Sequence, residues 1–130
     1  MSSPELTLRQ FGQAAGFDDL SFDARGHAVL QAGSGRQIGV ERTAGRDVMV
    51  YLTHPLDYDA GAWLLRAWKR AHHSRLEDWP VQAALRESPD GQRRLVALVR
   101  VPESEFTTLR LNQALETLSR WMDAVRDDAY

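Results

Sequence analysis

The sequence predicts an α+β fold: an antiparallel sheet of about five strands with three helices, in the order α-β-β-β-α-β-β-α. Apolar residues recur at three- and four-residue spacing in three well-separated segments, which is the helical period. Between them lie short runs that alternate with the strand period and are bounded by Gly, Pro and Asp. There is no internal repeat, low-complexity tract or linker, and 130 residues at 43% hydrophobic suit one domain over 1–130 with a single core.

Ser3 before Pro4 predicts a helix start, because the hydroxyl accepts a free backbone N–H and proline at the first helical position surrenders no needed donor. Leu8, Phe11 and Ala15 supply the stripe and Gly16 a left-handed stop. Strand-like runs follow at Leu20 to Asp23, His27 to Ala32, Arg36 to Thr43 and Asp47 to Thr53, giving three or four strands. Ala24-Arg25-Gly26, Gly33-Ser34-Gly35 and Ala44-Gly45-Arg46 separate them, and His54-Pro55 is expected to end the meander, since proline cannot donate to a ladder.

From Asp57 to His73 the period turns helical. Asp57 and Asp59 stand at the start, Trp63, Leu64, Ala67, Trp68 and Ala71 on one side, and Arg66, Lys69, Arg70, His72 and His73 toward the end, a charge order that suits the helix dipole. Val81 to Glu87 and Gln92 to Val101 read as a hairpin around Ser88-Pro89-Asp90-Gly91. Thr107 to Arg126 closes the domain, with Leu111, Leu115, Leu118, Met122 and Val125 forming one apolar stripe that needs a sheet to cover it.

A net charge of −2 provides no global attraction to nucleic acid or to anionic lipid, so neither is expected as a partner. The absence of cysteine removes disulfides, thiolate nucleophiles and thiolate metal sites, and fits a reducing compartment. MSSPELTLRQFG carries Glu5 and Arg9 among its apolar residues, unlike an export signal, and no run has the length of a membrane span. A soluble cytoplasmic protein is expected.

The chemistry-bearing residues read as structural. His72 and His73 are adjacent, so on a helix they diverge and cannot grip one metal together. His27 and His54 stand at strand ends or turns with no acid at ligand spacing on their own face. Gly33-Ser34-Gly35-Arg36 opens no helix and is a hairpin turn rather than a phosphate cradle. Asp18, Asp19 and Asp23 fall where Asp bonds its own backbone in turns. No catalytic residue, metal site or cofactor is expected, and the protein is read as a non-enzyme.

Two Trp and Leu64 on the middle helix, an apolar side large for so short an element, suit a subunit interface. The same segment, Trp63 to Arg75, interleaves Trp63 and Trp68 with Arg66, Lys69, Arg70 and Arg75, a composition that also occurs in single-strand nucleic-acid binding; Glu77 and Asp78 follow it at once.

The chain resembles the class I type III secretion chaperones of the Tir chaperone (CesT-like) family. The likeness is carried by LRQFGQAAGFDDLSFDARGHAVL at Leu8 to Leu30, RQIGVE at Arg36 to Glu41, VMVYLTHPL at Val48 to Leu56, AWLLRAW at Ala62 to Trp68 and ESPDGQRRLVALVRVPESEF at Glu87 to Phe106, completed by the final amphipathic helix. The resemblance implies a homodimer in the bacterial cytoplasm, with Trp63, Leu64 and Trp68 at its interface. It further implies binding of the N-terminal segment of a secreted effector, held extended and delivered to the export apparatus, its ATPase included as a partner. Phe17, Leu20, Phe22, Val29 and Val40 are the effector-binding candidates. The other reading is a regulatory or adaptor domain of the same fold, binding nucleic acid or an acidic protein through the basic Trp-bearing helix.

Overall fold

The computed structural model describes residues 3–17, 20–56, 60–74, 79–87, 89 and 91–127. Asp18, Asp19, Asp57, Asp59, Arg75, Glu77, Asp78, Ser88 and Asp90, given turn, helix-end or flanking roles above, lie outside the described residues, as does the side chain of His73. The elements run α1 (Pro4–Ala15), β1 (His27–Gln31), β2 (Gln37–Arg42), β3 (Asp47–Leu56), α2 (Ala60–Ser74), β4 (Gln82–Glu87), β5 (Arg93–Pro102) and α3 (Thr108–Asp127), with short 3-10 turns at Gly33–Gly35 and Glu103–Glu105.

All pairings are antiparallel and the strand order is β1-β2-β3-β5-β4, so the connection through α2 carries the chain past β5 to the far edge. This leaves β1 and β4 as the two edges. The register aligns alternate residues into rows: Ala28, Val40, Val50 and Val99 share one face, while Val29, Gly39, Tyr51 and Leu98 share the other. The first face joins Leu8 of α1, Ala67 of α2 and Leu111, Leu118, Met122 and Val125 of α3 in one core. Burial of that α3 stripe removes a face that would otherwise remain in water, which is why the last helix docks rather than frays.

Capping follows the local chemistry. The Ser3 hydroxyl accepts from the Leu6 N–H at 3.2 Å, and Gly16 ends α1 at φ 90°, a conformation that disfavours residues with a Cβ. Gly39 answers a different need. The Tyr51 ring lies across it, and a Cβ there would fall 1.8 Å from the ring.

Two expectations are corrected. Leu20 to Asp23 forms no strand; Leu20 instead packs against Gly12 of α1, and Asp23 turns the chain into β1. A local apolar run could not reveal this, because its partner is a helix next to it rather than a strand. Nor does His54-Pro55 end β3, which continues to Leu56 opposite Arg93. Odd-numbered residues of β3 turn their N–H toward β2, as the bond from Thr43 N–H to the Asp47 carbonyl shows. Pro55 therefore lacks its donor on a side where β2 has already ended at Gln37. The missing N–H interrupts no ladder bond, and the ring sits against Gly35.

Candidate functional site

Three places gather side chains with a potential role beyond the core. The first is the β1 edge. Here an open groove of about 690 Å³ is lined by Gly16, Phe17, Leu20, Asp23, Val29 and Leu30, among others. Phe17 is 44% and Val29 50% exposed, large values for apolar side chains so close together. Of the five effector-binding candidates, these two and Leu20 line the groove, with Leu20 largely covered. Phe22 is half-buried under the Arg42 guanidinium, whose carbon lies 5.9 Å from the ring centroid. Arg42 is itself held by Glu5 of α1 and Glu103, so Phe22 belongs to a tie between elements. Val40 is 3% exposed, inside the core beneath the helices, and contributes nothing to the surface.

Electrostatics at this edge are local. The Asp23 carboxylate accepts from the Arg25 and His27 N–H groups at 2.8 and 3.0 Å, and these backbone bonds hold its pKa below the ordinary value. No acid stands at ligand spacing on the face of His27 within its own segment, but cross-strand pairing sets Glu41 opposite it, with Nε2 and Oε1 2.7 Å apart. Residues far apart in the chain become neighbours through register, which no spacing rule within one segment detects.

The second place is the other edge. On α2, Leu64 and Trp68 project outward one turn apart, and Trp68 is 74% exposed. With Ala83, Ala84 and Leu85 of β4 they line an apolar depression of about 320 Å³. Trp63 faces differently. Its ring stacks on His54 at 4.8 Å between centroids and 14° between planes, and it packs against the core. The interface trio is thus divided, with two members on the surface and one turned inward. Leu65 and Leu85, both exposed, are surface apolar residues that sequence reasoning missed; Leu65 sits beside Leu64 in the chain, but only the edge position of β4 makes Leu85 significant.

The third place is polar and lies beneath α2 and α3. Arg36 donates from Nε to His54 Nδ1 at 3.0 Å and pairs with Asp123 of α3 at 2.8 Å. On the opposite face of the sheet, next to Pro55, Arg94 donates to the Thr53 hydroxyl at 2.9 Å and to the Gly35 carbonyl. Burial first, then Arg36, Arg126 and Arg94, lower the His54 pKa, with Asp123 acting in the opposite sense. Because His54 accepts at Nδ1, the neutral ring is the form that fits this site. His54 binds fewer protons folded than unfolded as pH falls below its ordinary 6.5, so stability decreases with acidification from that point down to the lowered folded value. Chemical denaturation between pH 7.5 and 5 is expected to show a larger loss for wild type than for His54→Gln, which keeps an acceptor but does not titrate. Equal losses would place the pH dependence elsewhere.

Among the described residues, no group of three or more His, Asp or Glu could hold a metal ion, and no helix is long and apolar enough to cross a membrane. The arrangement offers binding surfaces: one open sheet edge with an apolar groove, and one apolar helix-and-strand face.

No family profile and no curated protein matches the chain. Solved structures do. A chain of the HopA1–SchA chaperone–effector complex matches with TM-score 0.67 at 16% identity, covering 93% of this chain and 91% of that one. The Yersinia pestis type III secretion chaperone SycH in complex with a stable fragment of YscM2 matches at 0.66 and 10%, covering 95% and 99%. YbjN of E. coli, a proposed transcription regulator, matches at 0.60 and 19%, covering 91% and 88%. The α+β arrangement with three helices and a five-stranded antiparallel sheet is therefore shared with secretion chaperones and with a protein assigned another role. The surface has to discriminate between them.

Proposed function

We propose that this chain is a class I type III secretion chaperone that binds the N-terminal segment of a secreted effector in the bacterial cytoplasm, holds it extended and hands it to the export apparatus. The observation that carries the reading is the groove along β1, where exposed Phe17 and Val29 border an unpaired strand edge. An added strand gains affinity from backbone hydrogen bonds and specificity from the pockets beside them. The likeness to SchA and SycH chains supports the same reading at the level of shape. Phe17, Val29 and, at the groove floor, Leu20 are the proposed contacts. Leu64 and Trp68 form the centre of a proposed homodimer interface, from which Trp63 is turned away toward His54 and the core.

Binding is driven by apolar burial. Calorimetry with N-terminal fragments of secreted proteins encoded beside the gene is expected to give a negative heat-capacity change and only mild salt dependence. Failure to bind any of them would remove the chaperone reading. A complex lost by about 0.5 M salt would move the site to the basic side of α2, where Lys69 and Arg70 are exposed.

A further inference from the structure

The open part of β1 is shorter than the strand. Arg42 donates to the Gly26 carbonyl at 2.9 Å and Ala32 to the Arg36 carbonyl at 2.8 Å, which fixes Ala28 and Leu30, between them in the same alternation, as the residues bonded toward β2. His27, Val29 and Gln31 therefore aim their N–H and C=O groups away from the sheet. At His27 both are taken by Asp23: the N–H by Oδ1 at 3.0 Å, the carbonyl by the Asp23 N–H at 2.8 Å. Val29 and Gln31 carry no outward hydrogen bond among the described residues.

We infer that the edge accepts an extended polypeptide through Val29 and Gln31 alone, that Asp23 stops the pairing at His27, and that the free Asp23 carboxylate oxygen selects a Lys or Arg of the client just beyond the last pair. This rests on the reading of the groove as a polypeptide site and adds its register and chemistry. Client residues opposite Val29 and Gln31 project on the same face as Val29; the residue between them projects into the groove beside Phe17, Leu20 and Leu30. That position calls for an apolar side chain. Beyond it the client meets the Asp23 carboxylate, whose Oδ1 is occupied by two N–H groups while Oδ2 takes no hydrogen bond among the described residues. The charges of His27 and of the exposed Arg25 already act on this carboxylate, though neither side chain bonds Oδ2 among the described residues, and the nearby Glu41 carboxylate is engaged by His27.

A display library of random dodecapeptides, selected against the wild-type protein, tests this without any secreted client. Enriched peptides are expected to share an apolar residue followed or preceded, on one side, by Lys or Arg. Replacing that cation with Glu in a selected peptide is expected to weaken binding by more than the roughly two- to fivefold worth of an exposed ion pair, because repulsion is added to the lost attraction. Asp23→Asn, which keeps the Oδ1 acceptor for the cap, should remove most of this difference. Scanning N-methylation along the peptide should abolish binding at only two positions, two residues apart, and Val29→Pro, at an edge where proline is tolerated, should abolish it from the protein side. No enriched peptide, indifference to the cation, or N-methyl sensitivity at three or more alternate positions would overturn the inference. Each of these results leaves the test of the chaperone reading, binding of a co-encoded secreted protein, undecided and separate.

Discussion

Phe106→Ala is expected to lower the unfolding free energy by about 3–5 kcal/mol, the range for truncating a large buried aromatic. Phe106 is the largest fully buried side chain among the described residues, at the junction between the Glu103–Glu105 turn and α3. Its backbone carbonyl accepts from the Thr7 hydroxyl of α1 at 3.0 Å, so the residue also joins the first and last helices. Removal of the ring leaves a cavity that the surrounding strands, fixed by their ladders, can fill only in part. A domain of this size is stable by roughly 5–15 kcal/mol, so the loss is a large share of the total. Urea denaturation at fixed protein concentration measures it. A change below about 1 kcal/mol would mean the site collapses freely and is not the rigid junction described. Leu115, only half-buried, should tolerate the same truncation better than Leu118, which is fully buried.

Trp68→Asp is expected to convert the proposed dimer to a single chain of 14.7 kDa. In one chain Trp68 is largely in water, so the substitution leaves the fold intact; across the proposed interface it would place an uncompensated carboxylate among Leu64, Ala84 and Leu85. Exposed Trp near the centre of an apolar face is the kind of residue that dominates association energy, commonly about 2 kcal/mol or more on truncation. Light scattering with a thermal melt of the same samples separates loss of association from loss of folding. A wild-type mass of one chain at micromolar concentration, or a variant that still dimerises, would remove Trp68 from any interface. Trp63→Asp, by contrast, should reduce folding as well, since Trp63 stacks on His54 against the core.

The element order, the caps at Ser3 and Gly16 and the hairpin around Pro89 and Gly91 were legible in the sequence because each depends on residues within a turn or two of one another. So was the α3 stripe, whose period alone announces one buried face. The two candidate surfaces were visible only as lists of apolar residues. Alternation assigns Val29 and Val40 to strands but not to opposite faces of one sheet; register does that, and it turns one toward solvent and the other into the core. Periodicity likewise put Trp63 and Trp68 on one side of α2, whereas packing on the core and on His54 drew Trp63 inward and left Trp68 out. What the tertiary structure decided was adjacency between distant residues: β4 carried past β5 to an edge, Glu41 set beside His27, and β1 left with two open backbone positions because Asp23 had taken the third. Local chemistry specifies the elements, since their hydrogen bonds close within a few residues; the faces and edges that can bind are specified only when strands pair across the chain.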